Sequence, residues 1–434
     1  MNINVVTVIG ANGTMGCRVS GIFASFGDAK VYMVSRELEA AYKAKAKAVM
    51  SVRAEAIASN LIPKTYCDLE ECISESDLVF ESVAEDISVK KNVYKGFAEY
   101  VRPNAIVATG TSGLSVNQLS ECFDEKIRRR FVGMHMYNPP YYMTLCEVIP
   151  SRYTDARIVD EIKTYLKDVL YRDVVEVKDE PAFMGNRIGF QFINEAMQYA
   201  EVYKDNGGID YIDSILGPFT GRSMPPLVTS DFVGLDVHKA IADNIYHNTS
   251  DYAHKSFAMP EFALELILQG KLGKKSGCGL YQTVVKADGS RIVNVYDIVT
   301  GEYRVREQFV FPFAKEMIQE FKVGNYAQAF RKLISNHSVE ATICIQFLIK
   351  YVIYAISISK SIGEDIHSAD IVMSRGFDWV PPLAAIDAFG GVESFKKIAS
   401  NRLSKEFLSS IDIDDILTDI PRSRCDFRPF FKAR

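Results

Sequence analysis

The sequence predicts an α/β domain built on a parallel sheet, followed by an all-α C-terminal region that carries an internal duplication. Three observations point there. A β-branched run, Asn4–Ile9, stops at a triple-glycine turn and leads into a helical pattern. Short apolar runs of strand length recur as far as residue 134. Past Asp179-Glu180-Pro181 long helical patterns take over, and their landmarks return at a nearly constant offset.

At 434 residues the chain exceeds one simple core, so two or three domains are expected. A hydrophobic share of 48% with 24% charged residues is that of a globular protein. The formal net charge of −5 gives no reason to expect a nucleic-acid partner. Eight cysteines lie scattered with no C-x-x-C pair, so neither a zinc site nor a disulfide framework is signalled, and no metal is expected. Met1 leads straight into a strand-like run, and no run is read as long enough to span a membrane. The expectation is a reduced, cytoplasmic protein of enzyme size.

The first turn is Gly10-Ala11-Asn12-Gly13-Thr14-Met15-Gly16, set between the first strand and a helix expected over 17–26, with a second strand at 30–34. Glycines here permit tight turning and let backbone N–H groups at the helix N-terminus approach a pyrophosphate. The domain therefore reads as a Rossmann-type dinucleotide-binding domain, with Gly10, Gly13, Thr14, Met15 and Gly16 facing the cofactor. The spacing, Gly-x-x-Gly-x-x-Gly, is one residue longer than the usual fingerprint. Where NAD-binding folds commonly end the second strand on Asp or Glu, this chain has Ser35-Arg36. A hydroxyl followed by a guanidinium suits a ribose carrying a 2′-phosphate, which favours NADP on local chemistry. An exposed loop arginine without a ligand accounts for the same residues equally well.

A long helix rich in Ala, Lys and Arg is expected over 42–57. Its Lys43, Lys45, Lys47 and Arg53 either meet phosphates of a large substrate or form a solvated face. Further buried strands are expected at 78–82, 105–108 and 131–134. Glu85 and Lys90 follow the first of these, Thr111-Ser112 the second and His135 the third. In an open parallel sheet such residues gather beyond the carboxyl ends of the strands, where ligands bind.

The most informative stretch is 131–150, FVGMHMYNPPYYMTLCEVIP. His135, one of six histidines, stands before Asn138-Pro139, and Glu147 lies twelve residues on in the next apolar run. A carboxylate partner would poise a histidine for proton transfer near neutrality. The alternative is a core histidine at a strand end and a surface glutamate.

A helix follows from about Met184 to Tyr203, with Asn186 near its start, and this half ends in the basic glycine-rich turn Gly273-Lys274-Lys275-Ser276-Gly277. Asp288-Gly289 and Thr300-Gly301 then have hairpin-turn chemistry. Gln191-Phe192 and Tyr199-Ala200 match Gln346-Phe347 and Tyr354-Ala355; Pro225-Pro226, Asp231 and Gly234 match Pro381-Pro382, Asp387 and Gly390. The second copy has Ala341 where the first has Asn186, so it reads as structural, its helices covering the first copy's apolar face. The expected domains are 1–182, 183–285, a hairpin-like linker 286–310 and the degenerate copy 311–434. The duplication is compatible with a monomer or a homodimer.

GTMG after the first strand, ESVAEDISVKK, TSGL, GMHMYNPP with CEVI, GNR and LGKKSGCGLY stand in the order and spacing of the 3-hydroxyacyl-CoA dehydrogenases. The chain resembles that family over residues 1 to about 285, and the duplicated unit resembles the tandem arrangement of the large fatty-acid-oxidation enzymes. The resemblance implies interconversion of a 3-hydroxyacyl-CoA and a 3-ketoacyl-CoA, with NAD as the default cofactor. It implies that His135 is the acid/base, that Glu147 orients it, and that Ser112 and Asn186 hydrogen-bond the reacting oxygen and the thioester carbonyl. Glu85, Lys90, Asn138 and Lys275 match dinucleotide contacts, and Ser51 a coenzyme A contact. Departures are the extra loop residue, Ser35 for an acid, Gly110 for Asn, Thr144 for Lys, Ala182 for Gly and the added bulk of Tyr141-Tyr142. They suggest an unusual acyl group or carrier. A dehydrogenase of a related hydroxy acid and a non-catalytic dinucleotide-binding protein are the competing readings.

Overall fold

A computed structural model describes residues 2–432, which form two compact units. One is the chain up to Phe183 together with Ile362–Glu364; the other is the remainder.

The first unit is built on an eight-stranded sheet of β1 (Val5–Ile9), β2 (Lys30–Ser35), β3 (Leu61–Thr65), β4 (Leu78–Glu81), β5 (Ile106–Thr109), β6 (Phe131–Met136), β7 (Leu145–Pro150) and β8 (Asp173–Glu176). Their spatial order is β3-β2-β1-β4-β5-β6-β7-β8, parallel as far as β6, with β7 antiparallel to β6 and β8 parallel to β7. Because β1, β2 and β4 are buried on both faces, they read as continuous apolar runs rather than alternating ones. The strand order reverses between β1 and β4, which is where an open α/β sheet leaves a crevice beyond its strand ends.

Three strands were not expected. β3 is interrupted by Pro63 and has only Leu61 buried, the composition of an edge strand. β7 and β8 extend the sheet after the chain doubles back through 137–144. The expected helix 42–57 is instead Leu38–Val52: Arg53 takes a left-handed φ of 55°, which ends the helix, and a short 3₁₀ turn follows at Glu55–Ser59.

The second unit is helical apart from a three-stranded antiparallel sheet, β9 (Tyr281–Val285), β10 (Arg291–Tyr296) and β11 (Tyr303–Val305). It stands on the turns expected from sequence, with Gly289 and Gly301 at φ of 81° and 75°. The duplication is visible as a shared device. Asp213 accepts from the backbone N of Leu227 (2.8 Å) and Val228 (3.0 Å) at the start of helix Pro226–Val233, and Asp370 accepts from Leu383 N (2.8 Å) at the start of helix Pro382–Ala388. The copies pack on each other through aromatic rings, Phe192 with Phe347 at 5.1 Å and Tyr199 with Phe347 at 4.9 Å. Between them the fully buried Arg222 lies over Phe192 (3.6 Å), Trp379 (4.5 Å) and Tyr351 (5.0 Å).

One sequence expectation is corrected here. The 24-residue helix Val339–Ile362 is long and apolar enough, by length and composition, to cross a membrane. Most of it is buried among other helices, which is also the environment that makes a core helix apolar all round.

Candidate functional site

The glycine turn is held against the sheet by Gly10 N and Ala11 N, which both donate to Val34 O at 3.0 Å. Gly10 has φ of 82°, and a Cβ there would lie 2.5 Å from Ser82 O; one at Gly16 would lie 2.4 Å from Gly10 O. The backbone therefore packs where no side chain fits. Helix Thr14–Ser25 starts from Gly13 with no side-chain cap, so its first turn presents backbone donors and the positive end of its dipole. A cleft of about 800 Å³ opens over it, lined by this turn, by Ser82–Glu85, by Gly110 and Ser112, and by His135. The shape and the donors fit a dinucleotide diphosphate. Arg36 and Tyr66 line the same cleft. Ser35 does not: it is fully buried, and its hydroxyl has no hydrogen-bond partner among the described residues, so this corner is distinguished by Arg36 and by the missing carboxylate.

A buried network backs the cleft. Glu81, at the end of β4, accepts from Val83 N (2.7 Å), Lys90 Nζ (2.8 Å), Tyr94 Oη (2.7 Å) and Thr109 Oγ1 (2.8 Å). Asp86 caps helix Ile87–Lys95, which sets Lys90 one turn inside the helix, facing back to Glu81. The Lys90 ammonium is 1% exposed and also lies 3.4 Å from Glu85. Lys90, expected to meet the dinucleotide, is engaged by two carboxylates, Glu81 and Glu85. Glu85 in turn accepts from Thr111 Oγ1 (2.6 Å), Ser112 N (2.7 Å) and Ser112 Oγ (3.1 Å). Burial works against its charge, but Lys90 and these donors outweigh it and hold the carboxyl below its ordinary range.

His135 and Glu147 stand directly opposite each other across the β6–β7 pair. His135 Nδ1 lies 2.8 Å from Glu147 Oε2, and Tyr137 Oη donates to the same oxygen at 2.7 Å. Glu147 is completely buried; His135 and Tyr137 are buried too. With Glu147 accepting, the proton sits on Nδ1 and Nε2 keeps its lone pair.

Of the other expected site residues in this unit, Asn138 is exposed and its side-chain oxygen accepts from Arg18. Ser51 donates to Ala48 O at 2.8 Å and lines a smaller pocket with Arg18 and Lys47. Asn186 and Lys275 belong to the second unit: Asn186 is buried in the first turn of helix Gly185–Val202, and the half-exposed Lys275 pairs with Asp236. The departures also have local causes. A Cβ at Gly110 would lie 2.8 Å from the Phe80 ring, so Phe80 fills the space of a larger residue there. Thr144 donates to Asp173, and Ala182 has a left-handed φ of 59°. Sequence reading missed Glu81, Tyr94, Tyr66 and Tyr137. Glu81 left a signal, a carboxylate closing an apolar strand, which requires a buried cation.

The 3-hydroxyacyl-CoA dehydrogenase NAD binding domain family matches residues 5–180, and the 3-hydroxyacyl-CoA dehydrogenase C-terminal domain family matches 183–283. A probable 3-hydroxyacyl-CoA dehydrogenase of Bacillus subtilis is 31% identical over 342 residues, 78% of this chain and 42% of that protein. The chain thus spans less than half of that relative. A probable 3-hydroxyacyl-CoA dehydrogenase of Deinococcus radiodurans is 31% identical over 297 residues, 65% of this chain and 83% of that protein. The crystal structure of 3-hydroxybutyryl-CoA dehydrogenase from Escherichia coli shares the fold over 92% of this chain and 94% of its own, with a TM-score of 0.68 at 22% identity.

Proposed function

The chain belongs to the 3-hydroxyacyl-CoA dehydrogenase family, and we propose that it interconverts a 3-hydroxyacyl-CoA and a 3-ketoacyl-CoA with His135 as the acid/base. The observation that carries this reading is the buried His135–Glu147 pair, 2.8 Å apart, on the wall of the cleft that begins at the glycine turn.

Glu147 keeps the Nδ1 proton in place, which leaves Nε2 free to take the proton of a β-hydroxyl. The carboxylate also offsets the positive charge the ring then carries. In the other direction the same nitrogen returns the proton to the developing alkoxide. Ser112, whose N–H and hydroxyl both donate to Glu85, stands at the rim of the cleft, where the hydroxyl, turned off Glu85, would be a neutral donor to the reacting oxygen. The glycine turn, the first turn of helix Thr14–Ser25 and Glu85 would hold the dinucleotide, whose nicotinamide accepts or gives the hydride. Arg36, on the cleft with no acid ahead of it at the strand end, favours a dinucleotide with a 2′-phosphate.

Following NADH and NADPH oxidation with acetoacetyl-CoA tests the reading. Turnover is expected, with NADPH preferred, and Arg36→Ala should remove most of that preference. A protein that binds either dinucleotide yet turns over neither would overturn the activity. Equal use of both, unchanged in Arg36→Ala, would overturn the cofactor assignment alone.

A further inference from the structure

Tyr137 follows β6 two residues after His135, and the two rings lie with their centroids 4.5 Å apart. Its hydroxyl donates to Glu147 Oε2 at 2.7 Å, the same oxygen that lies 2.8 Å from His135 Nδ1. His135 is 6% exposed, Tyr137 7% and Glu147 not at all. We propose that Tyr137 is a positioning residue that acts on His135 through Glu147, making the pair a His–Glu–Tyr triad.

A glutamate has three rotatable bonds, and each hydrogen bond to its carboxylate narrows the positions that group can take. A second donor converging on the same oxygen, from a ring packed beside that imidazole, fixes the carboxylate and with it the plane of the histidine. The hydroxyl also shares the negative charge on Oε2, which limits how far the Nδ1 proton is drawn toward the carboxylate. Buried as the three groups are, these hydrogen bonds are stronger than they would be on the surface. Phenylalanine would supply the same ring packing, so the hydroxyl is the part with something further to do. The simpler alternative is that a buried tyrosine merely satisfies its own hydroxyl on the nearest acceptor.

The inference rests on His135 acting as the acid/base, so its test has an arm that does not depend on turnover. In Tyr137→Phe, kcat with acetoacetyl-CoA should fall about tenfold, while KM for the dinucleotide stays within about twofold. The same substitution made in a Glu147→Gln protein should lower kcat no further. In protein labelled with ¹⁵N-histidine, the His135 Nδ1–H resonance should move in Tyr137→Phe whether or not the protein turns over. A wild-type protein with no turnover but with that shift leaves the triad standing and removes the proposed activity. An unmoved resonance, an unchanged kcat in an active enzyme, or an undiminished loss in the Glu147→Gln background would overturn the triad itself.

Discussion

Glu85 in the first unit and Asp213 in the second are both carboxylates collecting three or more donors, yet their protons behave oppositely. Glu85 takes Thr111 and Ser112 on the rim of a cleft, with the Lys90 ammonium beside it, and is held below the ordinary carboxylate range. Asp213 is completely enclosed, takes two backbone N–H groups and Tyr281 Oη (2.7 Å), and is pushed up to about 7 by burial, which those donors and the charge of Arg306 oppose without overcoming. Asp370, its counterpart in the second copy, is pushed up to about 6 for the same reason. Donors and a more distant charge do not hold a fully buried carboxyl in its charged form; an adjacent cation or nearby solvent must share the desolvation. The first unit arranges its charges around a ligand space. The second uses its charges to end helices and join two copies.

Substitutions in the two units should therefore separate activity from stability. The largest effect is expected from His135→Ala, with kcat reduced about a thousandfold and thermal stability nearly unchanged. Loss of the fold in that variant would place His135 with the structural residues and break the comparison. Asp213→Ala leaves two helix N–H groups and a tyrosine hydroxyl unpaired, and should destabilise by about 3 kcal/mol in a denaturant titration. Asp370→Ala loses the bonds from Leu383 N (2.8 Å) and Ser423 Oγ (2.6 Å), and a smaller loss of about 2 kcal/mol is expected.

The pH dependence of unfolding sharpens the same point. The raised pKa of Asp213 favours its protonated form in the fold, so its contribution is complete below about pH 4 and is lost as pH rises through about 7. His238 runs the other way. Fully buried and bonded to Ser230 Oγ (2.7 Å) and Asn194 Oδ1 (3.0 Å), it is pushed down to about 3 by burial, so its contribution is present above about pH 6.5 and fades on acidification. Between about pH 4 and 6.5 the two oppose each other. Relative to wild type, Asp213→Asn should tilt the melting-temperature profile toward loss of stability in acid, and His238→Gln should tilt it toward gain.

The smallest change is expected at Arg222. Its guanidinium donates to Thr220 O at 3.0 Å, while Nε and Nη2 have no hydrogen-bond partner among the described residues, and burial draws its pKa down to about 10. An apolar chain of similar length removes the buried charge and keeps the packing on Phe192 and Trp379, so Arg222→Met should shift stability by no more than about 1 kcal/mol in either direction. A loss of several kcal/mol would show that the cation itself joins the copies.

Much of this molecule is legible in the order of its residues. The glycine turn between a strand and a helix, the near-constant offset of Pro225-Pro226 and Pro381-Pro382, and the hairpin turns at Gly289 and Gly301 are local patterns, set by backbone freedom and by side chains a few positions apart. His135 and Glu147 could be singled out by their settings, but nothing local places them face to face. That depends on the antiparallel register of β6 and β7, in which a slip by one residue would turn Glu147 to the other side of the sheet. Tyr137 on Oε2, Lys90 drawn between Glu81 and Glu85, and the apolar helix Val339–Ile362 taken into the second unit were likewise decided only in three dimensions. The sequence determines the glycine turn, the hairpins and the long helices, because those energies are largely local. The edge strand β3 and the added strands β7 and β8 were not legible in it. Which buried polar group meets which partner depends on desolvation and packing between segments far apart in the chain, and only the tertiary structure fixes that.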